Sequence, residues 1–202
     1  TYDKDNAGLY HGGDFAGVTQ KLDYLKDLGV NTIWITPIVD NISGVTVDGE
    51  GKEDVPFNAA YHGYWASDFT KLDPALGTED EFKALISAAH DKGIKIMVDV
   101  VLNHAGYGQE EYFNILLKDA EGNPIQMIRD DSQQVSGSDQ QASPSGLPDF
   151  LTENEAVRNQ LVQWQVDWMK NYDIDYFRVD TVKHVDSTTW SAFKNELTKA
   201  NP

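Results

Sequence analysis

Two periods of apolar residues alternate along this chain. In "DFAGVTQKLDYLKDLGV", Val18, Leu22, Leu25 and Leu28 recur at helical spacing and Gly29 offers a stop, which predicts one helix. The apolar run "VNTIWITPI" follows, closed by Pro37, and predicts a strand. A long polar loop runs from there to about Ser67. A second helix starts at "TEDE", where Thr78 and Glu81 have capping-box spacing. It carries Phe82, Leu85, Ile86 and Ala89 on one face and stops near Gly93. The strand "IKIMVDVVLNH" comes next. After it lie roughly fifty residues rich in Ser, Gln, Asp and Gly with little periodicity. An ordinary strand-to-helix loop has about 2–6 residues, so this stretch reads as an inserted subdomain or an ordered binding loop. A second capping box, Thr152 with Glu155, predicts a helix through Val157, Leu161, Trp164 and Trp168. The strand "IDYFRVD" and a helix around Trp190, Phe193 and Leu197 complete the pattern.

Apolar strands alternating with amphipathic helices imply a parallel sheet covered by helices. Three strands are clear, which fits either an open doubly wound sheet or part of a (β/α)8 barrel. In both, ligands belong at the carboxyl ends of the strands.

Composition narrows the chemistry. The 202 residues are 40% hydrophobic, enough for a real core. The formal net charge of -17, from 33 acidic against 16 basic residues, argues against nucleic-acid and anionic-membrane partners. A neutral substrate or a bound cation such as Ca2+ suits the carboxylate surplus, as does a plain solvated acidic surface. With no cysteine there is neither a disulfide framework nor a thiolate metal site, which fits the cytosol and bacterial secretion equally. No signal-peptide pattern and no apolar run of membrane-spanning length is read. The opening "TYDKDNAGLYHGG" reads as a loop rather than the start of a domain.

The charges inside the last strand raise the functional question. Arg178 and Asp180 are two apart, so both side chains point to one face. A guanidinium beside a carboxylate favours its ionised form, and an ionised, positioned carboxylate can act as a nucleophile. A buried ion pair that only fixes packing is the alternative. "DVVLNH" brings Asp99, Asn103 and His104 to a neighbouring strand end, where His104 could bond a hydroxyl and Asn103 suits a hard cation. Tyr64 and Trp65 of "YHGYW" could stack on a sugar ring, or belong to the core.

"AYHGYW", "DVVLNH", "LPDF" and "FRVDTVKHV", in this order, resemble the α-amylase family of glycoside hydrolases, and the similarity runs over nearly the whole chain. The resemblance implies a partial (β/α)8 TIM barrel, about strands 2 to 4 with their helices. Residues 1–104 and 152–202 would belong to the barrel and 105–151 to an inserted B domain. It implies retaining hydrolysis of α-1,4-glucans. Asp180 matches the nucleophile and Arg178 the arginine that orients it and holds it ionised. His104, Tyr64 and His62 match sugar contacts around the attacked glucose, with Trp65 beside them. Lys183 and His184 match contacts on the leaving-group side. Asn103, Asp149 and the His184 backbone carbonyl match ligands of a structural calcium. An extracellular setting is expected.

The family also uses a glutamate general acid on the fifth strand, about 5–5.5 Å from the nucleophile. The sequence closes with "ELTKANP", so that residue is expected to lie outside it, and Glu196 belongs to a helix. The chain alone is therefore expected to be inactive, and exposed sheet edges are expected to favour dimerisation or swapping. Asp99 is expected to be structural. Tyr176 stands where the family most often has glycine and is expected to tighten packing. A cyclodextrin glucanotransferase or another α-glucan transferase is the alternative within the family, and a non-catalytic glycan-binding half-barrel the alternative outside it.

Overall fold

Residues 4–45 and 57–201 are described in a computed structural model of the chain. Three parallel strands carry the architecture: β1 (Thr32–Ile35), β4 (Lys95–Val100) and β5 (Tyr176–Val179), in the order β1-β4-β5. The register pairs Ile35 with Val98, Val98 with Phe177 and Asp99 with Arg178. Helices α1 (Phe15–Gln20), α2 (Leu22–Asp27), α3 (Glu79–Asp91), α5 (Glu155–Tyr172) and α6 (Ser187–Ala200) alternate with these strands.

The strands obey the period of two. Ile96, Val98 and Val100 of β4 face a core shared with Phe82, Leu85, Ile86 and Ala89 of α3, Val157, Leu161, Trp164 and Trp168 of α5, and Phe193 of α6. The other face presents Trp34, Asp99, Tyr176 and Arg178. Trp34 is 56% and Tyr176 50% exposed. Tyr176, expected to tighten packing inside the barrel, is thus half exposed among the described residues.

The capping box of α3 forms as expected, with Glu81 N donating to Thr78 Oγ1 at 3.2 Å and Thr78 N to Glu81 Oε2 at 2.7 Å. Three other expectations need correction. The first helix breaks at Lys21, whose N–H turns to Val18 O, while Thr19 Oγ1 bonds back to Phe15 O at 2.8 Å. The break rotates the second piece, so Leu22 is buried but Leu28 is 62% exposed. The loop expected up to Ser67 contains a hairpin of β2 (Val39–Asn41) and β3 (Ala66–Leu72); its middle, 46–56, lies outside the described residues. Bulges on both sides of Asp40 hide this hairpin from a test for simple alternation. Finally, Asn154 rather than Thr152 caps α5, accepting from Ala156 N at 3.0 Å. Thr152 is buried and its carbonyl accepts from Thr189 Oγ1 at 3.3 Å.

The long segment after His104 holds α4 (Glu110–Leu116), two short 3-10 turns and isolated β-bridges. One bridge pairs His104 with Asp149 and another Ile128 with Phe150, so the insert is stitched to the end of β4.

Candidate active site

Arg178 is the centre of the strand-end arrangement. Its Nη1 donates to Asp180 Oδ1 at 2.7 Å and to both oxygens of Asp99, at 3.1 and 2.9 Å. Asp99 Oδ2 also accepts from Tyr64 Oη at 2.8 Å and from Trp34 Nε1 at 3.2 Å. The guanidinium lies over the Trp34 ring, 4.9 Å from its centroid. Burial pushes Asp99 above the usual carboxylate range, against the hydrogen bonds from Tyr64 and Arg178. Tyr64 is pushed up to about 12, by burial first and then by its bond to Asp99. Burial alone would lower Arg178, but the two carboxylates outweigh it and hold the guanidinium charged.

Asp180 lies one residue beyond β5, and its N–H still continues the ladder, donating to Val100 O at 3.0 Å. The next residue, Thr181, takes a left-handed conformation at φ +50° and buries Oγ1 without a hydrogen-bond partner. A β-branched residue there is strained, and such strain concentrates at functional sites. The turn aims the short 3-10 segment Val182–His184, with Lys183 and His184, away from the strand.

Around this centre stand the other expected sugar contacts. The ring of His62 stacks on Tyr64 at 5.7 Å and meets Trp65 edge-on at 4.4 Å. Its Nδ1 accepts from Tyr64 N at 3.0 Å. Gly63 makes this turn possible: at φ +83°, a Cβ there would lie 2.7 Å from Pro37 O. His104 is buried, and burial pushes it down to about 4, so it is neutral at neutral pH. Its Nε2 lies 3.1 Å from Tyr64 O, which can only accept, and its Nδ1 3.2 Å from Asn103 Nδ2, which can only donate. Those partners place the ring proton on Nε2. Both nitrogens of His104 are thus engaged within the protein.

Two of the expected calcium ligands, Asn103 and Asp149, lie at the joint between β4 and the insert. Phe150 N donates to Asn103 O at 2.8 Å and Ala105 N to Pro148 O at 3.0 Å. Asp149 is buried and accepts from Arg129 Nε at 2.8 Å; Arg129 also reaches Glu153 at 2.8 Å. Burial pushes Asp149 up to about 6, with Arg129 pulling the other way. Among the described residues, no three His, Asp or Glu side chains are grouped to hold a metal ion. A cation at this joint would therefore rest on the Asn103 amide, the Asp149 carboxylate and backbone carbonyls, a donor set that suits a hard ion.

Sequence reasoning missed Trp34 and Arg129, and gave Asp99 only an unspecified structural role. Period two alone does not relate Asp99 and Trp34 to Arg178; the register of β1, β4 and β5 puts both on its face. Nothing in the sequence pattern marks Arg129.

A family model described as the α-amylase catalytic domain matches residues 2–200. The chain belongs to the α-amylase family. It is 34% identical to an α-amylase of Streptomyces lividans, over 97% of this chain and 26% of that protein. It is 32% identical to the periplasmic α-amylase of Escherichia coli K12, over 96% of this chain and 40% of that protein. The chain thus spans about a quarter to two-fifths of these relatives. The crystal structure of an α-amylase from Geobacillus thermoleovorans complexed with acarbose aligns with TM-score 0.75 and 32% identity, over 100% of this chain and 42% of that one. A cyclomaltodextrin glucanotransferase structure aligns with TM-score 0.81 and 30% identity, over 99% and 43%. The three parallel strands of this α-amylase-family chain accordingly form part of a (β/α)8 barrel.

Proposed function

We propose that this chain supplies the nucleophile side of an active site that cleaves α-1,4-glucosidic bonds in starch-like glucans with retention. The observation that carries the reading is the 2.7 Å contact from Arg178 to Asp180, with Arg178 itself fixed on buried Asp99. A carboxylate so held keeps one lone-pair direction occupied by the guanidinium and offers the rest to an anomeric carbon. In the first step an Asp180 oxygen bonds to that carbon as the glucosidic C–O bond breaks, and the departing oxygen takes a proton from a general acid. Water, giving a proton back to the conjugate base of that general acid, then attacks the same carbon and releases Asp180 as a carboxylate. Tyr64, held by Asp99, presents its ring to the sugar; His62, Trp65 and His104 line the same side. Lys183 and His184 contact the leaving glucan.

Asp99 and Glu196 do not supply the acid. Asp99 is tied up by three partners, and Glu196 lies in α6 paired with Lys199 at 2.5 Å. On this reading the 202-residue chain alone is expected to lack this acid and to be inactive. Asn103, Asp149 and the His184 carbonyl would hold a structural Ca2+, which would neutralise Asp149 and clamp the insert to the barrel. Each edge strand, β1 and β5, pairs on one side only among the described residues, which would favour self-association of the isolated chain. An extracellular or periplasmic setting is supported by the name of the Escherichia coli relative.

The test is reducing-sugar release from soluble starch by the whole protein in calcium buffer, beside its Asp180→Asn variant and the 202-residue chain. Release from the whole protein, lost by a factor on the order of 10⁴ or more in the variant, is the expected outcome. Saturable maltooligosaccharide binding without turnover by the whole protein would replace a hydrolase with a binding module. The likeness to a cyclomaltodextrin glucanotransferase, at 30% identity over 99% of this chain, supports a second reading within the family. Cyclic products dominating the mixture would establish it.

A further inference from the structure

Lys183 and His184 lie where two separate parts of the chain meet. Their 3-10 turn is pinned from behind, Trp190 Nε1 donating to Val182 O at 2.9 Å and His184 N to Thr181 O at 2.8 Å. In front stands the tip of a tight loop in the insert, residues 134–143. This loop supports itself. Gln134 and Ser143 exchange two hydrogen bonds of 2.7 Å each, and Val135 N donates to Gln141 O at 2.7 Å. Ser138 Oγ accepts from Gln140 N at 3.2 Å and Gln141 N at 3.1 Å, and Gly137 turns the chain at φ +80°.

The loop holds Asp139 at its tip, and Asp139 touches both residues. Its Oδ1 lies 3.1 Å from Lys183 Nζ, and its backbone carbonyl 2.7 Å from His184 Nδ1. A carbonyl oxygen only accepts, so Nδ1 donates here and Nε2 is left for a further contact. Lys183 keeps further N–H groups to donate. Both side chains are thus held at one end with polar atoms left over, which suits a pair of sugar hydroxyls.

We propose that Asp139 is a positioning residue that determines specificity: through it the insert sets how firmly Lys183 and His184 hold the glucose units beyond the bond being cleaved. The inference rests on the hydrolase reading above. Without the Asp139 carboxylate, the long Lys183 side chain regains its rotamer freedom, and ordering it falls to the substrate. Without the turn at Gly137, the carbonyl that holds His184 Nδ1 moves. Nothing lies within 4 Å of a Cβ at Gly137, so Gly137→Val strains the backbone there without a clash.

The experiment compares the whole protein with its Asp139→Ala and Gly137→Val variants on two substrates. One is maltohexaose, which fills the sites on both sides of the bond. The other is an aryl maltooligoside with a chromogenic leaving group, which leaves the far sites empty of sugar. Asp139→Ala is expected to lower kcat/KM on maltohexaose about two- to fivefold, through KM, and to shift the bond that is cut, as suits one exposed ion pair. Activity on the aryl substrate should stay unchanged. Gly137→Val should move the cleavage pattern in the same sense. An unchanged bond pattern in active variants overturns the inference, and so does an equal loss on both substrates, which would mean general loosening. If the unaltered protein cleaves neither substrate, the hydrolase reading itself falls and takes this inference with it, a result distinct from either.

Discussion

Two arginines in this chain each bridge a pair of carboxylates, and they do so in opposite surroundings. Arg129 joins Asp149 to Glu153, and the side chains of Arg129 and Asp149 are 3% and 2% exposed. Arg178 joins Asp99 to Asp180, with the Arg178 and Asp180 side chains 34% and 21% exposed. In the first triad the guanidinium and Asp149 are sealed, and only Glu153, 42% exposed, reaches water; the inner ion pair is held by mutual contact. The second has one fully buried member, Asp99, and opens toward the strand ends through the other. Sealing makes an ion pair a structural joint, since removing one partner strands the other. Opening one end lets the same arrangement hold a carboxylate ready for a substrate while the buried end keeps the guanidinium in place.

The sharpest way to break the comparison is to remove each arginine in turn. Arg129→Met leaves Asp149 buried without its cation and is expected to cost about 3–5 kcal/mol of stability, read by urea denaturation of the whole protein. A cost below about 1 kcal/mol would show that the joint does not depend on this pair. Arg178→Lys should behave differently. Lysine keeps the charge, but its shorter side chain lacks the planar face that lies over Trp34 and does not reach the point from which Nη1 contacts both Asp99 and Asp180. Displacing Asp180, the proposed nucleophile, by about 1 Å is expected to lower kcat on the order of 10²-fold, with a smaller change in denaturation midpoint than Arg129→Met. Equal stability losses from the two variants would erase the distinction between joint and site.

The open triad was half legible in the sequence and the sealed one hardly at all. Arg178 and Asp180 stand out because charges interrupt an apolar strand, and period two puts them on one face. The core faces of α3 and α5 were legible for a related reason, since Phe82, Leu85, Leu161 and Trp168 follow helical periods. Arg129 lies in an aperiodic stretch, and its partners are 20 and 24 positions away, a contact made by the folding of the insert. Trp34 reads as one more apolar strand residue; only the register between β1 and β4 puts its N–H on Asp99. The left-handed backbone of Thr181 leaves no trace in a sequence, because threonine adopts it only under pressure from its surroundings. Asp139 looks like a solvated loop carboxylate until the hairpin around it is built.

The smallest expected effect tests how the open triad is supported by Tyr64. Tyr64 Oη donates to Asp99 Oδ2, and this environment pushes the phenol from 10.0 up to about 12, by burial first and the bond to Asp99 second. A group raised in the folded state adds stability that is fully present below its unfolded value. That stability is lost as pH rises through the folded value. The window is therefore between about 10 and 12. Tyr64→Phe removes the bond but leaves Asp99 to Arg178 and Trp34, so the loss at neutral pH should be about 1 kcal/mol. The variant should also be less sensitive than the parent to the rise in pH across that window, measured by denaturation midpoint, and should lack one late-titrating phenol by ultraviolet difference absorbance. Parallel curves for parent and variant would mean that Tyr64 is held by packing alone, and that the buried end of the triad is fixed by Arg178 and Trp34 without help from the Tyr64 ring.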